Sequence, residues 1–202
     1  MDAGLSVDDQ TRGLDWVHWL LRSVRQRCPS VVMQRIEDRV TAQSQWRKFV
    51  RERFLPELGE LLLRAWSQAE ARDVAGLMEC ETRLASILNE EESERSILAG
   101  RLLLECTQGA LYQGVLGHFR TAVEEERAAG HIGIIWPALA AMFQLTPAAM
   151  LAEYLRLEWD TTTRELVGVA APLGSCAITK VASETLMRRQ GEPRVLRRRK
   201  QA

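Results

Sequence analysis

Three histidines and one Gly-Ser-Cys turn are the residues of this chain whose types could support catalysis. The histidines, at His18, His118 and His131, are far apart in the sequence, and a general acid or base needs a partner within hydrogen-bond reach. Gly174-Ser175-Cys176 follows a proline and could expose a nucleophile at a helix start, where a thiol pKa falls. A nucleophile also needs a base and a group that orients it, and the sequence has no signature for either. We therefore expect no catalytic residue and interpret Ser175 as a helix cap.

Acidic runs and cysteines are the remaining candidates for a metal site. The runs Glu90-Glu91-Glu92 and Glu124-Glu125-Glu126 do not converge on one ion, because neighbouring residues of a helix point in different directions. We interpret each run as a solvated helix face or a helix N-terminus. The cysteines lack the paired spacing of zinc and redox motifs, so we expect free thiols, with Cys80 and Cys106 packed in the core: Cys28, Cys80, Cys106 and Cys176. The chain also lacks a Walker-type phosphate loop, and we expect neither a metal nor a cofactor.

Composition and charge narrow the class of protein. Hydrophobic residues are 46% and charged residues 27% of the 202 residues, the balance of a folded domain. No stretch approaches the roughly 20 apolar residues of a membrane span, and the first nine residues do not form a secretory signal. We expect a cytoplasmic location. Seven bases and one acid follow from Arg188 onward, so an acidic body precedes a basic tail.

The elements that must position these residues are predicted to be helices. Apolar residues recur three or four positions apart in Leu14 to Val24, Trp46 to Phe54 and 58–69, and no segment shows a strand pattern. Residues 31–50 are compatible with a surface helix or a partly ordered connection. The helices are separated by short breaks at Cys28-Pro29-Ser30, Pro56, Arg72-Asp73, Asn89 to Ser93, Gly130, Leu145-Thr146 and Pro172 to Ser175. We predict an all-α, single-domain bundle of about eight to ten helices.

Three glycines interrupt one of these helical patterns. Gly109, Gly114 and Gly117 lie in or beside the stretch Ala110 to Val123, and each costs a helix about 1 kcal/mol relative to alanine. The pattern is compatible with a helix in close contact with its neighbour, with a loosely formed helix, or with a break near Gly114.

The segment from Gly130 to Leu186 carries the most detailed pattern. A first apolar helix should end near Leu145, and Thr146-Pro147 should start the next with an N-cap hydroxyl and a proline in the first turn. That second helix should continue past Val169 until Pro172 and Gly174 break it.

The order of elements in this segment resembles the C-terminal half of the urease accessory protein UreF family. The shared elements are His131 before an apolar helix, the alanines at 138–141, Tyr154-Leu155, and Pro172-Leu173-Gly174. Weaker matches lie upstream, at Gly13-Leu14-Asp15, residues 73–88, Glu94-Arg95 and residues 100–104. The resemblance as a whole covers roughly residues 56 to 187.

The resemblance implies a non-enzymatic function in urease maturation. Members of the family act between the scaffold UreD (also called UreH) and the GTPase UreG and regulate nickel delivery to apo-urease, and a homodimer is implied. Residues 1–187 would form the UreF-like domain and residues 188–202 a basic, disordered tail. The segment from Thr179 to Lys200 would become ordered when the scaffold binds. His131 could bind a partner or a metal, or it could cap the following helix or satisfy a buried carbonyl. Tyr154 either presents its hydroxyl at an interface or packs in the core. The expected partner-binding residues are Gly13, Leu14, Asp15, His131, Tyr154, Pro172, Leu173, Gly174, Arg188, Arg189, Arg194, Arg197, Arg198, Arg199 and Lys200.

Two other functions fit the same sequence. The region before Gly13 lacks the family's Gly-rich and aromatic run, which favours a helical protein-interaction module without a urease role. The basic tail is also compatible with a nucleic-acid-associated protein, because clustered Arg and Lys neutralise phosphates. Against nucleic acid, the body is acidic and no recognised binding motif accompanies the tail.

Overall fold

The computed structural model describes residues 19–28, 31–33, 36, 39–107, 114–164 and 175–191. Within these ranges the chain is helical, without a strand, which confirms the predicted all-α, single-domain bundle. No helix in these ranges is both long and apolar enough to cross a membrane. The helices are α1 (19–27), α2 (Arg39–Phe49), a π-helical stretch (Val50–Leu58), α3 (Gly59–Glu70), α4 (Val74–Ile87), α5 (Glu90–Cys106), α6 (Val115–Glu124), α7 (Ile132–Met142), α8 (Pro147–Thr162) and α9 (Ser175–Gly191).

Side-chain caps start three of these helices where the sequence predicted breaks. Asp73 accepts the Gly76 amide of α4, and Thr146 accepts the Ala149 amide of α8, with Pro147 in the first turn. Asn89 and Glu92 form a capping box at α5, with bonds of 2.9 and 3.1 Å. Because these bonds satisfy amides that have no partner inside the helix, they fix where each helix begins.

The predicted break at Pro56 is wrong. The helix passes through Pro56 as a π-helical stretch, and α2, this stretch and α3 form one continuous helical run from residue 39 to 70. A π-helix bonds each amide to the carbonyl five residues back, as the Gly59 amide does to the Phe54 carbonyl oxygen. Proline has no amide hydrogen, and the wider π-helical turn carries it without ending the run.

The start of α6 and the end of α8 do not lie where the spacing of apolar residues alone would place them. Helix α6 begins after Gly114, whose φ of 81° is left-handed, so the alternative of a break near Gly114 is confirmed. Helix α8 ends at Thr162 rather than beyond Val169. The hydroxyls of the consecutive residues 161–163 bond to carbonyls four residues back, and such bonds weaken a helix.

Helix α7 forms the centre of the bundle. Its sequence is apolar on every side, ten of its eleven residues are buried, and it packs mainly against α3 and α5. A helix that is apolar all round has no face for solvent. The Trp136 ring is fully buried, and its Nε1 donates to the Met150 carbonyl oxygen at 3.0 Å, which joins α7 to α8.

A row of aromatic rings joins the first half of the chain to α8. Phe54 stacks on Tyr154 with ring centroids 6.4 Å apart, and Trp46 meets Trp159 edge-on at 5.7 Å. Phe49 lies between Trp46 and Phe54 at 5.9 and 6.0 Å. Aromatic pairs at such distances contribute about 0.5–1.5 kcal/mol each beyond the area they bury, so this row holds residues 46–54 against α8.

Candidate functional site

The start of α7 is the first place where residues of the UreF-like pattern come together. His131 is the N-cap residue, but its side chain caps nothing. Glu81 of α4 provides the cap instead, because its Oε1 accepts the amides of Gly130 at 2.6 Å and His131 at 3.1 Å. A carboxylate is favoured at this end of a helix by both the free amides and the helix dipole.

Close backbone contact holds this turn in place. Gly130 has φ 87°, and a Cβ atom on Gly100 of α5 would overlap the Gly130 carbonyl oxygen. Glycine at residue 100 therefore lets α5 approach the turn, and glycine at 130 gives the turn a left-handed backbone that other residues rarely adopt.

Burial controls the charge state of the two titratable groups here. Glu81 is 5% and His131 1% exposed. Burial raises the pKa of Glu81, although the amides of residues 129–131 oppose the rise. Burial lowers the pKa of His131 to about 4, so its imidazole is neutral at physiological pH. Glu81 Oε2 and His131 Nδ1 are buried without a hydrogen-bond partner.

A second polar cluster holds the backbone of Cys28 and of residues 31–33 to α8. The Glu158 carboxylate is fully buried and accepts the amides of Val32 at 3.0 Å and Met33 at 3.3 Å. Tyr154, one helical turn earlier, hydrogen-bonds to the same carboxylate. Burial raises the pKa of Glu158 and that of Tyr154. The Glu158 carboxylate therefore gives a hydrogen-bond partner to three groups that would otherwise be buried without one: the amides of Val32 and Met33 and the Tyr154 hydroxyl.

Two arginines complete this cluster. Arg95 of α5 donates from Nε to the Val31 carbonyl oxygen at 3.3 Å, and Arg164 donates to the carbonyl oxygens of Arg25 and Cys28. Burial raises the pKa of the Cys28 thiol to about 11, and Glu158 adds to the rise. The Cys28 thiol is therefore protonated at neutral pH and is a poor nucleophile.

Helix α9 changes the expected boundary of the basic tail. It continues to Gly191, so Arg188 and Arg189 belong to a helix and not to a disordered tail that begins at 188. Arg189 donates to the Leu63 carbonyl oxygen of α3 at 2.9 Å, whereas Arg188 is exposed and pairs with Glu184 at 3.0 Å. Helix α9 therefore overlaps the stretch from Thr179 to Lys200 that was expected to order on the scaffold.

The structure places two expected partner contacts inside the core. His131 and Tyr154 are each 1% exposed, so neither ring is available to a partner in this conformation. Core packing describes Tyr154. The structural alternatives expected for His131 are not observed at its Nδ1, because the side chain caps no amide of α7 and Nδ1 has no hydrogen-bond partner among the described residues. The other expected contacts lie outside the described residues: Gly13, Leu14, Asp15, Pro172, Leu173, Gly174, Arg194, Arg197, Arg198, Arg199 and Lys200.

The remaining chemical candidates are dispersed. Cys28 and Cys80 are buried free thiols, and Cys106 is partly exposed, so core packing is confirmed for Cys80 and only partial for Cys106. His118 is exposed on α6. Across the described ranges no group of three or more His, Cys, Asp or Glu side chains is arranged to hold a metal ion. The other residues considered for catalysis, His18 and the side chains of Ser175 and Cys176, lie outside those that the structure describes.

Glu81 and Glu158 are the two residues that the sequence analysis missed. Each interrupts an apolar stripe: Glu81 lies between Leu77 and Leu84 on α4, and Glu158 follows Tyr154 by one turn on α8. A lone acid within an apolar stripe is a signal for a buried carboxylate with hydrogen-bond partners. The partners themselves, which are backbone amides distant in sequence, have no sequence signal.

Comparison with known proteins does not assign the chain to a family. No family model matches the sequence, and no curated protein matches it.

Proposed function

We propose that this chain is a cytoplasmic urease maturation factor of the UreF type. It acts as a non-enzymatic adaptor that links a UreD/UreH-type scaffold to a UreG-type GTPase while nickel is delivered to apo-urease. The working unit is proposed to be a homodimer.

The observation that carries the proposal is where the resembling residues lie in the fold. His131, the alanines at 138–141 and Tyr154-Leu155 follow one another along α7 and α8, and their side chains are buried. Residues at packed positions determine how closely two helices approach and how they cross. The resemblance therefore concerns the framework of one helix pair, which favours a shared architecture over a chance match of surface residues.

The exposed side of α9 supports a role in docking. Met187 is 63% exposed and is followed by the exposed Arg188, and Met and Arg are enriched in protein–protein interfaces. In the proposed mechanism, α9 and the basic residues after it bind the scaffold while another face binds the GTPase. The adaptor then acts by favouring one conformation of its partners, without making or breaking a bond.

Binding to purified partners from the same host tests the proposal. Full-length protein should retain both the UreD/UreH-type scaffold and the UreG-type GTPase in a pull-down. In the host, the activity of urease and the nickel content of that urease should both depend on the chain. Absence of binding to both partners, with urease activity unchanged in a deletion strain, would overturn the assignment.

A truncation that removes residues 192–202 tests the basic tail without cutting α9. It should weaken scaffold binding, because bases that complement an acidic partner are lost. The matched control replaces the exposed bases of α2 and the π-helical stretch with serine (Arg47→Ser, Lys48→Ser and Arg51→Ser). Equal loss of affinity in both variants would indicate a general charge effect and not a tail-specific contact.

A helical interaction module without a urease role is the second candidate, favoured by the exposed Met187 on α9. It predicts that the chain binds some other partner through this surface while host urease activity is independent of it. The deletion strain described above separates the two functions.

A further inference from the structure

A large cleft lies where four helices end or begin. The ends of α3 and α7 and the starts of α6 and α8 line it. Its volume is about 880 Å³, within the roughly 300–1,000 Å³ that small-molecule sites occupy. None of the described residues of α9 lines it, so a ligand in this cleft is independent of the proposed urease role.

One wall of the cleft is apolar and held in place. The Trp66 ring of α3 is partly buried, and its Nε1 donates to the Leu145 carbonyl oxygen at 3.2 Å. Met142, which is partly buried at the end of α7, lines the same cleft. An indole ring and a thioether both make favourable contacts with apolar and aromatic groups. This wall therefore suits the hydrocarbon or aromatic part of a ligand.

The polar residues of the cleft include a cation without a partner. Arg72 is exposed, and its guanidinium has neither an ion pair nor a hydrogen bond to any other described residue. A guanidinium presents two parallel N–H donors that match the two oxygens of a carboxylate. Glu70 lies on the same lining and disfavours ligand groups that carry more than one negative charge. The cleft therefore suits a single carboxylate better than a phosphate.

Two residues of this cleft have a backbone conformation that residues with a side chain rarely adopt. Arg72 and Gln144 each have a φ of 57°, one residue beyond the last turn of α3 and of α7. Their amides bond to the carbonyl oxygens of Ala69 at 3.0 Å and Ala141 at 2.9 Å. Glycine usually occupies this position, because it has no Cβ to oppose a left-handed backbone.

The location of these two residues indicates why the sequence keeps side chains there. A left-handed backbone costs any residue with a Cβ some stability, and strain of this kind is common at ligand-binding positions. Of the three non-glycine residues with a positive φ in the described ranges, two line this one cleft: Arg72 and Gln144. Stability alone would favour glycine at both, so their long polar side chains point to a contact outside the fold.

We propose that this cleft binds a monocarboxylate with an apolar or aromatic body. The carboxylate lies against the Arg72 guanidinium, with the Gln144 amide as a second donor. The body of the ligand lies against Trp66 and Met142. A free small carboxylic acid and the C-terminal end of a polypeptide share this chemistry.

Titration of the full-length protein with phenylacetate tests the site, followed by nuclear magnetic resonance of the Trp66 indole N–H. This signal should shift, and the affinity should be about tenfold or more lower for neutral phenylacetamide and for inorganic phosphate, which has no apolar body. A short peptide that ends in phenylalanine distinguishes the two sources: tighter binding than phenylacetate indicates a polypeptide end, and weaker binding a free acid. No shift with either carboxylate, or equal affinity for phenylacetamide, would overturn the proposal.

Glycine variants separate binding from folding. Arg72→Gly should raise Tm by about 2–4 °C, because it relieves the left-handed strain, yet it should weaken phenylacetate binding about tenfold or more. Gln144→Gly should also raise Tm, with a smaller loss of affinity. The matched control is Glu126→Gly, since Glu126 has a φ of 58° but does not line the cleft; its Tm should rise while its affinity stays unchanged.

Two results with these variants would contradict the site. Unchanged affinity in Arg72→Gly, or an equal loss in all three variants, would show that the guanidinium does not hold the carboxylate. A Tm below that of wild type in Arg72→Gly would overturn the proposal as well, because folding would then explain why the arginine is kept.

Discussion

Two carboxyl groups, Glu81 and Glu158, organise the polar interior of this molecule. Each lies on an otherwise apolar face, is at most 5% exposed, and accepts backbone amides from a segment distant in sequence. Burying a carboxyl group is costly unless it is hydrogen-bonded, so these residues stabilise the fold only in one arrangement of their partners. The sequence does contain a signal for both residues, because each is a lone acid within an apolar stripe. Their partners, Gly130 and Val32, were not, because backbone amides carry no residue-specific signal.

Replacing Glu158 tests this role at the residue scale. Glu158→Leu leaves the amides of Val32 and Met33 and the Tyr154 hydroxyl buried without an acceptor. Each unsatisfied group costs about 1–3 kcal/mol, so the free energy of unfolding should fall by about 3–5 kcal/mol in urea denaturation. Residues 31–33 should also exchange amide hydrogens faster.

The control for this variant is Asp160→Asn on the same helix. Asp160 pairs with Arg25 at 3.2 Å, but its side chain is 46% exposed, and exposed ion pairs contribute only about 0–1 kcal/mol. Equal losses in the two variants would contradict the role assigned to the Glu158 carboxylate.

At the scale of elements, local chemistry explains the starts of three helices, α4, α5 and α8. Asp73, Asn89 and Thr146 are strong caps at predicted breaks, and each caps the helix that follows. Pro56 was expected to end a helix, yet the π-helical stretch carries the chain through it. Whether a proline ends a helix or is accommodated depends on the packing on either side, here the buried side chains of Phe54 and Leu58.

Gly100 tests the contact between α5 and the turn before α7. Gly100→Ala places a methyl group on the Gly130 carbonyl oxygen, and backbone cannot move aside as a side-chain end can. We expect a loss of about 3 kcal/mol or more in the free energy of unfolding, measured by urea denaturation, or loss of soluble protein.

The neighbouring exposed residue gives the control for Gly100. Arg101→Ala changes the solvent side of the same turn of α5 and should alter stability by no more than about 0.5 kcal/mol. A well-folded Gly100→Ala variant with wild-type stability would show that α5 and the turn are farther apart than described.

On the scale of the whole molecule, α7 joins the parts of the bundle, and α9 closes one side of it. Helix α9 packs mainly on α8 and also contacts the π-helical stretch and α3. A Cβ on Gly59 would lie 2.7 Å from Thr185 Cγ2, so α9 approaches the start of α3 closely. The end of α9 is therefore part of the folded domain.

Two truncations distinguish the folded end of α9 from the residues after it. Removal of 188–202 deletes Arg189 and its bond to the Leu63 carbonyl oxygen, whereas removal of 192–202 keeps it. A hydrogen bond from a charged donor contributes about 1.5–3 kcal/mol, so the longer truncation should lower Tm by about 5 °C relative to the shorter one. Thermal unfolding followed by circular dichroism measures the difference, and Arg189→Met should reproduce most of it. Equal Tm values for the two truncations would place Arg189 outside the folded domain.

The sequence by itself determined the helical class, the capped starts of α4, α5 and α8, and the all-apolar character of α7. These features follow from local spacing and from side chains that bond to nearby amides, so neighbouring residues are enough to specify them. The tertiary structure alone decided that His131 and Tyr154 are buried, that Glu81 caps α7, and that Glu158 holds residues 32 and 33. These contacts join residues about 50 or more positions apart, and they exist only once helix packing brings a carboxylate and free amides to the same buried place.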